Sequence, residues 1–316
     1  MNSRRQAPFI HTEKNTVYIS AAHLLALIPV MAVAIVYYGL RALILIGFCA
    51  VLFELADELC SYVRGVHKAR DLNSIVYGIV LALLLPPDTP LYIAAIGVLF
   101  ASVVCRQISG GRGSAFLNPA AAGRLLIRIL FASNEGALAM PGEGRTYLRS
   151  LVHGSSGFEG VSLSEFYRAE LLTGRFPSFL GTSCAVMILA GLVYLLAKRI
   201  CRFYLPLSYI GMLTVLLFIK DVYTGTSQTG VFLITSGVLF TGVYLLTDEE
   251  TIIPFGSVSI FQGFMCSALT FLMSFKTTGI DLLVIPVLLT GVMTGVLNYI
   301  VITFRVSEEE KLRVKS

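Results

Sequence analysis

Long apolar runs separated by short polar breaks dominate the chain. The runs are continuous, which predicts helices; a β-barrel would alternate apolar and polar positions instead. They place ten membrane helices at roughly 17–38, 42–59, 73–86, 90–107, 117–132, 179–199, 203–219, 230–246, 256–275 and 281–304. The third stops at Pro86-Pro87, and the fifth has about fourteen helical residues after Pro119. Both fall short of the ~20 residues a full span needs. Short or interrupted helices mark where a bundle builds a binding site near its midplane.

The expected fold is therefore an all-α polytopic membrane protein, with ten transmembrane helices in two inverted five-helix halves. Five crossings, an outer segment and five more crossings give the inverted relation. The expected divisions are a cytoplasmic tail (1–16), the first half (17–132), an extracytoplasmic insertion (133–178), the second half (179–304) and a cytoplasmic tail (305–316). The polar, basic start is followed by a run of full spanning length with no small-residue cleavage site, so a retained first helix is expected.

Composition agrees with the pattern. Hydrophobic residues make up 56% of the chain and charged residues 14%, with a mean hydropathy of +0.80. These values exclude an ordinary soluble domain. The six cysteines and four histidines are scattered, without the spacing that holds zinc or an iron–sulfur cluster. The chain has no tryptophan, leaving Tyr and Phe as interfacial anchors.

Charge sets the expected orientation. Basic residues gather in alternate breaks: Arg4, Arg5 and Lys14; Arg64, Lys68 and Arg70; Arg106 and Arg112; Lys198, Arg199 and Arg202; then Arg305, Lys311, Arg313 and Lys315. The other short breaks hold only Arg41, Lys220 and Lys276. This bias puts both termini in the cytoplasm of a bacterial inner membrane. The net charge of +5 belongs to these loops and does not point to nucleic acid.

Four stretches can carry chemistry. The first is Gly110-Gly111-Arg112-Gly113 running into Phe116-Leu117-Asn118-Pro119. Here Asn118 can cap a short helix and Pro119 fits its first position. Arg124 and Arg128 follow four apart on that helix, and arginine at membrane depth usually faces a cavity or a partner. Asn118 and Arg124 are the preferred cofactor contacts, with Arg128 the better candidate for snorkelling to the surface. The second is Asp221-Val222-Tyr223-Thr224-Gly225-Thr226-Ser227, which approximates the Asp-x-x-Ser/Thr-Gly-Ala-Thr pattern on which a flavin transferase esterifies FMN. Ser227 is the candidate acceptor and Thr226 its neighbour; the alternative is an ordinary turn capped by Thr226, Ser227 or Thr229.

The third stretch is the acid cluster Glu54, Asp57 and Glu58, with Glu54 expected deepest and an ion-pathway candidate. The alternative is an interfacial cluster pairing with Arg64, Lys68 or Arg70. The fourth is Thr247-Asp248-Glu249-Glu250, where Asp248 is a second ion-pathway candidate and a solvated loop the alternative. Asp71, Asn73 or Ser74 is expected to cap the third helix. No pattern of a self-contained hydrolase or nucleotide-binding enzyme appears.

Together these residues resemble the NqrB/RnfD family of flavin-bearing membrane subunits, on the RnfD side. The resemblance rests on the 110–124 stretch, on Leu83-Leu84-Leu85-Pro86-Pro87 with Pro90 before it, on Thr182-Ser183 with Leu189-Ala190-Gly191, and on Ser236-Gly237 leading to Thr247-Asp248. It implies a flavin-associated subunit of an ion-translocating electron-transport complex that moves Na⁺ or H⁺. It also implies a covalent FMN, a second non-covalent flavin such as riboflavin, and other complex subunits as partners within the lipid bilayer. Gly111, Asn118 and Arg124 would contact the non-covalent flavin. The family carries its FMN acceptor between helices five and six, and no such motif stands in 133–178. Either the acceptor is lost or Ser227 replaces it. Two other classes remain open: a solute channel or transporter on the same scaffold, and a cofactor-free anchor subunit.

Overall fold

Helix follows helix through the computed structural model, which describes residues 16–65, 72–108, 117–132, 173, 174, 176, 178–201, 203–225, 229–248, 256–275 and 282–296. Helix α1 (Thr16–Tyr38) is separated from α2 (Leu40–Val63) by Gly39 alone. Gly39 adopts φ +70 and ψ −153, a conformation open essentially to glycine. The chain thus turns sharply without a loop.

α3 (Asn73–Leu83) ends three residues before Pro86, because proline disfavours helix in the residue before it and cannot donate to the ladder. α4 (Leu91–Leu99) continues into a π-helical stretch, Phe100–Ile108. The short helix α5 (Pro119–Phe131) follows. The later helices are α6 (Ala185–Ala197), α7 (Tyr204–Thr224), α8 (Thr229–Thr235), α9 (Val238–Phe240), α10 (Gly256–Met273) and α11 (Leu282–Val296). α9 runs on into a π-helical turn, Thr241–Leu245.

Two expected helices differ in form. The 179–199 run becomes helical only at Ala185, because residues before it serve another element. The amides of Leu180 and Gly181 donate to the carbonyls of Leu85 and Leu83, at 3.3 and 2.7 Å. They satisfy carbonyls at and just past the end of α3, where Leu83 and Leu85 are fully buried. The 230–246 run is broken at Ser236-Gly237, where Gly237 is buried and takes a positive φ of 80.

α2 packs along α3, α7 along α10, and α1 along α6. α5 buries Pro119 through Arg124 and Ile127 against α3 and α4. There, Gly97 and Gly123 let backbones meet: a Cβ on Gly123 would lie 2.7 Å from the Gly97 carbonyl oxygen. Small residues at such crossings are how membrane helices approach closely. The outer surface is apolar, with Val36, Leu59, Phe218 and Ile219 exposed. Three described helices, Val17–Tyr38, Leu91–Ile108 and Tyr204–Thr224, are long and apolar enough to cross a membrane.

Candidate functional site

Asn118 caps α5 as its sequence position predicts. Its Oδ1 accepts from the Ala121 amide at 3.1 Å, while Pro119 occupies the first helical position. The other end of the amide is also used. Nδ2 donates to the Leu245 carbonyl at 3.1 Å and toward Asp248 Oδ2 at 3.4 Å. Leu245 closes the π turn after α9, so Asn118 ties the start of one short helix to the end of another.

Asp248 is buried, at 8% exposure. Tyr77 of α3 donates its hydroxyl to both carboxylate oxygens, at 2.7 and 2.8 Å. The Tyr77 ring has Phe53 beside it, with centroids 6.0 Å apart, and the Arg106 guanidinium over it, 5.3 Å from its centroid. A cation over a ring face is attracted by the ring quadrupole, more so where water is excluded.

Arg106 itself is fully buried in the π stretch after α4. Its Nη1 sits 3.1 Å from Asp57 Oδ2 and donates to Ser74 Oγ at 2.6 Å. Ser74 passes its own proton toward Asp57 Oδ2 at 2.7 Å, and Gln107 Nε2 donates to Asp57 Oδ1. Two successive residues of the π stretch therefore serve one carboxylate. Asp57 is 2% exposed, and a charge so placed survives only when paired and hydrogen-bonded. The result is a buried polar seam: Asp57, Ser74 and Arg106, then the Tyr77 ring, then Asp248 and Asn118.

Beside the seam lies a cavity of about 20 Å³, lined in part by His23, Asn73, Tyr77, Asn118 and Asp248. Its walls come from α1, α3, the start of α5 and the segment after α9.

The family model described as "NQR2, RnfD, RnfE family" matches residues 3–306. The chain belongs to this family. It is 29% identical over 252 residues to the D component of the Na(+)-translocating ferredoxin:NAD(+) oxidoreductase complex of Acetobacterium woodii, covering 77% of this chain and 75% of that one. It is 23% identical over 334 residues to the D component of the ion-translocating oxidoreductase complex of Escherichia fergusonii, covering 93% and 95%. The corresponding component in Escherichia coli O139:H28 is 24% identical over 285 residues, covering 78% and 81%.

Within this NQR2, RnfD, RnfE family member, the structure brings Asn118 and Asp248 together and leaves Glu54 apart. Asp57, not Glu54, is the deepest acid of α2, because the helix turns it toward α3 and Arg106; Glu54 is half-buried. Among the described residues the Asp57 carboxylate makes its ion pair with Arg106, whereas Arg64 donates to the carbonyl and side chain of Gln107. Lys68 and Arg70 lie outside the described residues. Arg124 is buried, 5.6 Å from the centroid of the Phe179 ring, while Arg128 is exposed. Leu72 stands at the start of α3 with no side-chain cap, and Ser74 donates to Asp57 instead; Asp71, another expected cap, lies outside the described residues.

Gly111, Thr226 and Ser227 lie outside the described residues. Next to the last two, the Asp221 carboxylate accepts from the backbone amide and the hydroxyl of Thr229, both at 2.7 Å. That acid thus caps α8. Tyr77, Ser74, Arg106 and His23 belong to the site although the sequence does not mark them as site residues. Arg106 carries a signal, being the one basic residue of an otherwise apolar run; Tyr77 carries none.

An isoalloxazine ring does not fit the Asn118 cavity as it stands. The Asn118 amide is engaged at both ends, and about 20 Å³ is room for water-sized species.

Proposed function

We propose that this chain is the RnfD-type membrane component of an Rnf-type ion-translocating electron-transport complex, working beside the other components of that complex in the bacterial cytoplasmic membrane. The supporting observation is the buried Asp248, held at a break between helices by Tyr77 and Asn118 from two other elements. An intramembrane carboxylate facing the bundle interior is a natural element of an ion path. Because its holders come from separate helices, a shift of either helix changes the donors around the charge. That is the form a coupling element takes when two sites must sense one another. Both termini in the cytoplasm and the five-plus-five inverted arrangement belong to the same proposal.

The test is made in the assembled complex in liposomes. Asp248→Ala is expected to lose ion uptake driven by electron transfer while the subunits still purify together. Full uptake in this variant rejects the role of Asp248. Solute flux by the chain alone, without redox partners, replaces the reading with that of a transporter.

Flavin carriage is the finer part of the proposal. FMN would be esterified to Ser227 by a flavin transferase, with Thr226 as neighbour, and a non-covalent flavin would lie toward Arg124 and Gly111 rather than inside the Asn118 cavity. Intact-mass analysis of the purified chain reads the first directly. Fluorescence that survives denaturation in the parent chain and vanishes in Ser227→Ala supports it; its persistence in Ser227→Ala, or an unmodified mass, refutes it.

A further inference from the structure

His23 stands in α1, and its Nδ1 lies 3.1 Å from the Ile19 carbonyl oxygen. A carbonyl only accepts, so Nδ1 carries the proton in that bond. In the neutral ring, Nε2 is then a bare acceptor. That atom is buried and has no hydrogen-bond partner among the described residues. An acceptor left so pays its desolvation with nothing in return, which a fold does not carry without reason.

His23 and Asp248 line the same small cavity. The carboxylate also accepts, and its two oxygens offer about four lone-pair positions, so it takes up several donors at once. Two acceptors that line one cavity cannot bond to each other. They need a species with two donors, and a cavity of about 20 Å³ admits one water molecule. A hard monovalent cation suits this lining less well, because imidazole is a poor partner for it. No group of three His, Cys, Asp or Glu side chains stands together among the described residues.

We propose that this cavity binds a single water molecule that bridges His23 Nε2 to the Asp248 carboxylate, joining α1 to the broken helix as a proton-exchange pair. When the imidazole is protonated, Nε2–H gives its proton to the water while the water gives one to an Asp248 oxygen. Imidazolium and carboxylate become imidazole and carboxylic acid, and the net charge of the pair is the same before and after. A proton thus crosses between two elements without stranding a buried charge. This inference goes beyond the proposed place in the complex, and its test uses no electron transfer.

The experiment is solid-state NMR of the full chain, labelled with ¹⁵N-histidine, in lipid nanodiscs. A water cross-peak is expected at one imidazole nitrogen and is assigned by its disappearance in His23→Phe. In Asp248→Ala, which removes one anchor, the cross-peak is lost. Asp248→Asn retains an acceptor oxygen and keeps it, so a folding failure of the alanine variant does not hide the result. Three outcomes overturn the proposal: no water contact at His23 Nε2 in the parent chain, an unchanged cross-peak in Asp248→Ala, or a shift of the resonance when NaCl replaces choline chloride at constant ionic strength. The last assigns the cavity to a cation.

Discussion

Tyr77 and Asp248 stand 171 positions apart, yet one phenol hydroxyl reaches both oxygens of one carboxylate. The contact fixes α3 against the end of the broken helix. It also places Asp248 at the hydroxyl of the same Tyr77 ring that Arg106 overlies, so the two buried charged centres share one aromatic side chain. A rotation of α3 would alter the surroundings of both.

Replacing Tyr77 by Phe keeps the ring and deletes the donor. The buried carboxylate then loses the one donated proton that its two oxygens share, a change worth about 1–3 kcal/mol. We expect a lower thermal unfolding midpoint and reduced ion uptake by the assembled complex. An unchanged midpoint shows that the hydroxyl contributes nothing to the fold.

The Asp57–Arg106 pair responds to single and double replacement differently. Arg106→Met alone leaves a buried carboxylate and costs about 3–5 kcal/mol, whereas adding Asp57→Leu removes that charge and recovers part of the loss. Thermal unfolding of the two variants checks this. A double variant less stable than Arg106→Met contradicts it.

At the crossing of α4 and α5, two glycines make different demands. The Cβ of a Gly97→Ala variant meets mainly side-chain atoms, Cδ1 and Cγ1 of the buried Ile127, with the nearest backbone atom, the Gly123 oxygen, at 3.3 Å. That of Gly123→Ala meets the Gly97 backbone oxygen at 2.7 Å, and backbone cannot yield cheaply. Gly123→Ala is expected to destabilise by about 1–3 kcal/mol, the more damaging of the two. Equal melting of both variants counts against the close approach.

Cys201 lies between α6 and α7, and burial pushes its thiol up to about 11, opposed by the Thr247 hydroxyl. The reactive species is the thiolate. At neutral pH, N-ethylmaleimide should therefore label the half-buried Cys60 before Cys201, with Cys201 gaining reactivity only as the pH nears that range. Mass mapping of the labelled sites decides the order.

Much of the helical order is legible in the sequence because apolar runs and breakers act locally. Asn118 and Pro119 announce the start of α5, and Pro86-Pro87 announce the end of α3, although the helix stops a little earlier. What does not show is long-range. The depth of Asp57 relative to Glu54 depends on how α2 is turned against α3, and both acids fit the same apolar pattern. Tyr77 looks like any aromatic residue of a buried helix until its partner arrives from far along the chain. The π stretch after α4 has no signal, since a helix widens in response to what it packs against. Asn118 looks available to a ligand, and a single sequence does not reveal that Leu245 and Asp248 already claim its amide.

The widened winding from Phe100 to Ile108 carries one implication for changes in chain length. Such a bulge accommodates surplus length within a turn, and reverting to ordinary α-helical winding rotates everything downstream about the axis. Trimming a residue there would mend the ladder and yet swing the guanidinium of position 106 off its carboxylate. A one-residue deletion in this span is therefore expected to break the Asp57–Arg106 contact even where every remaining side chain is unchanged.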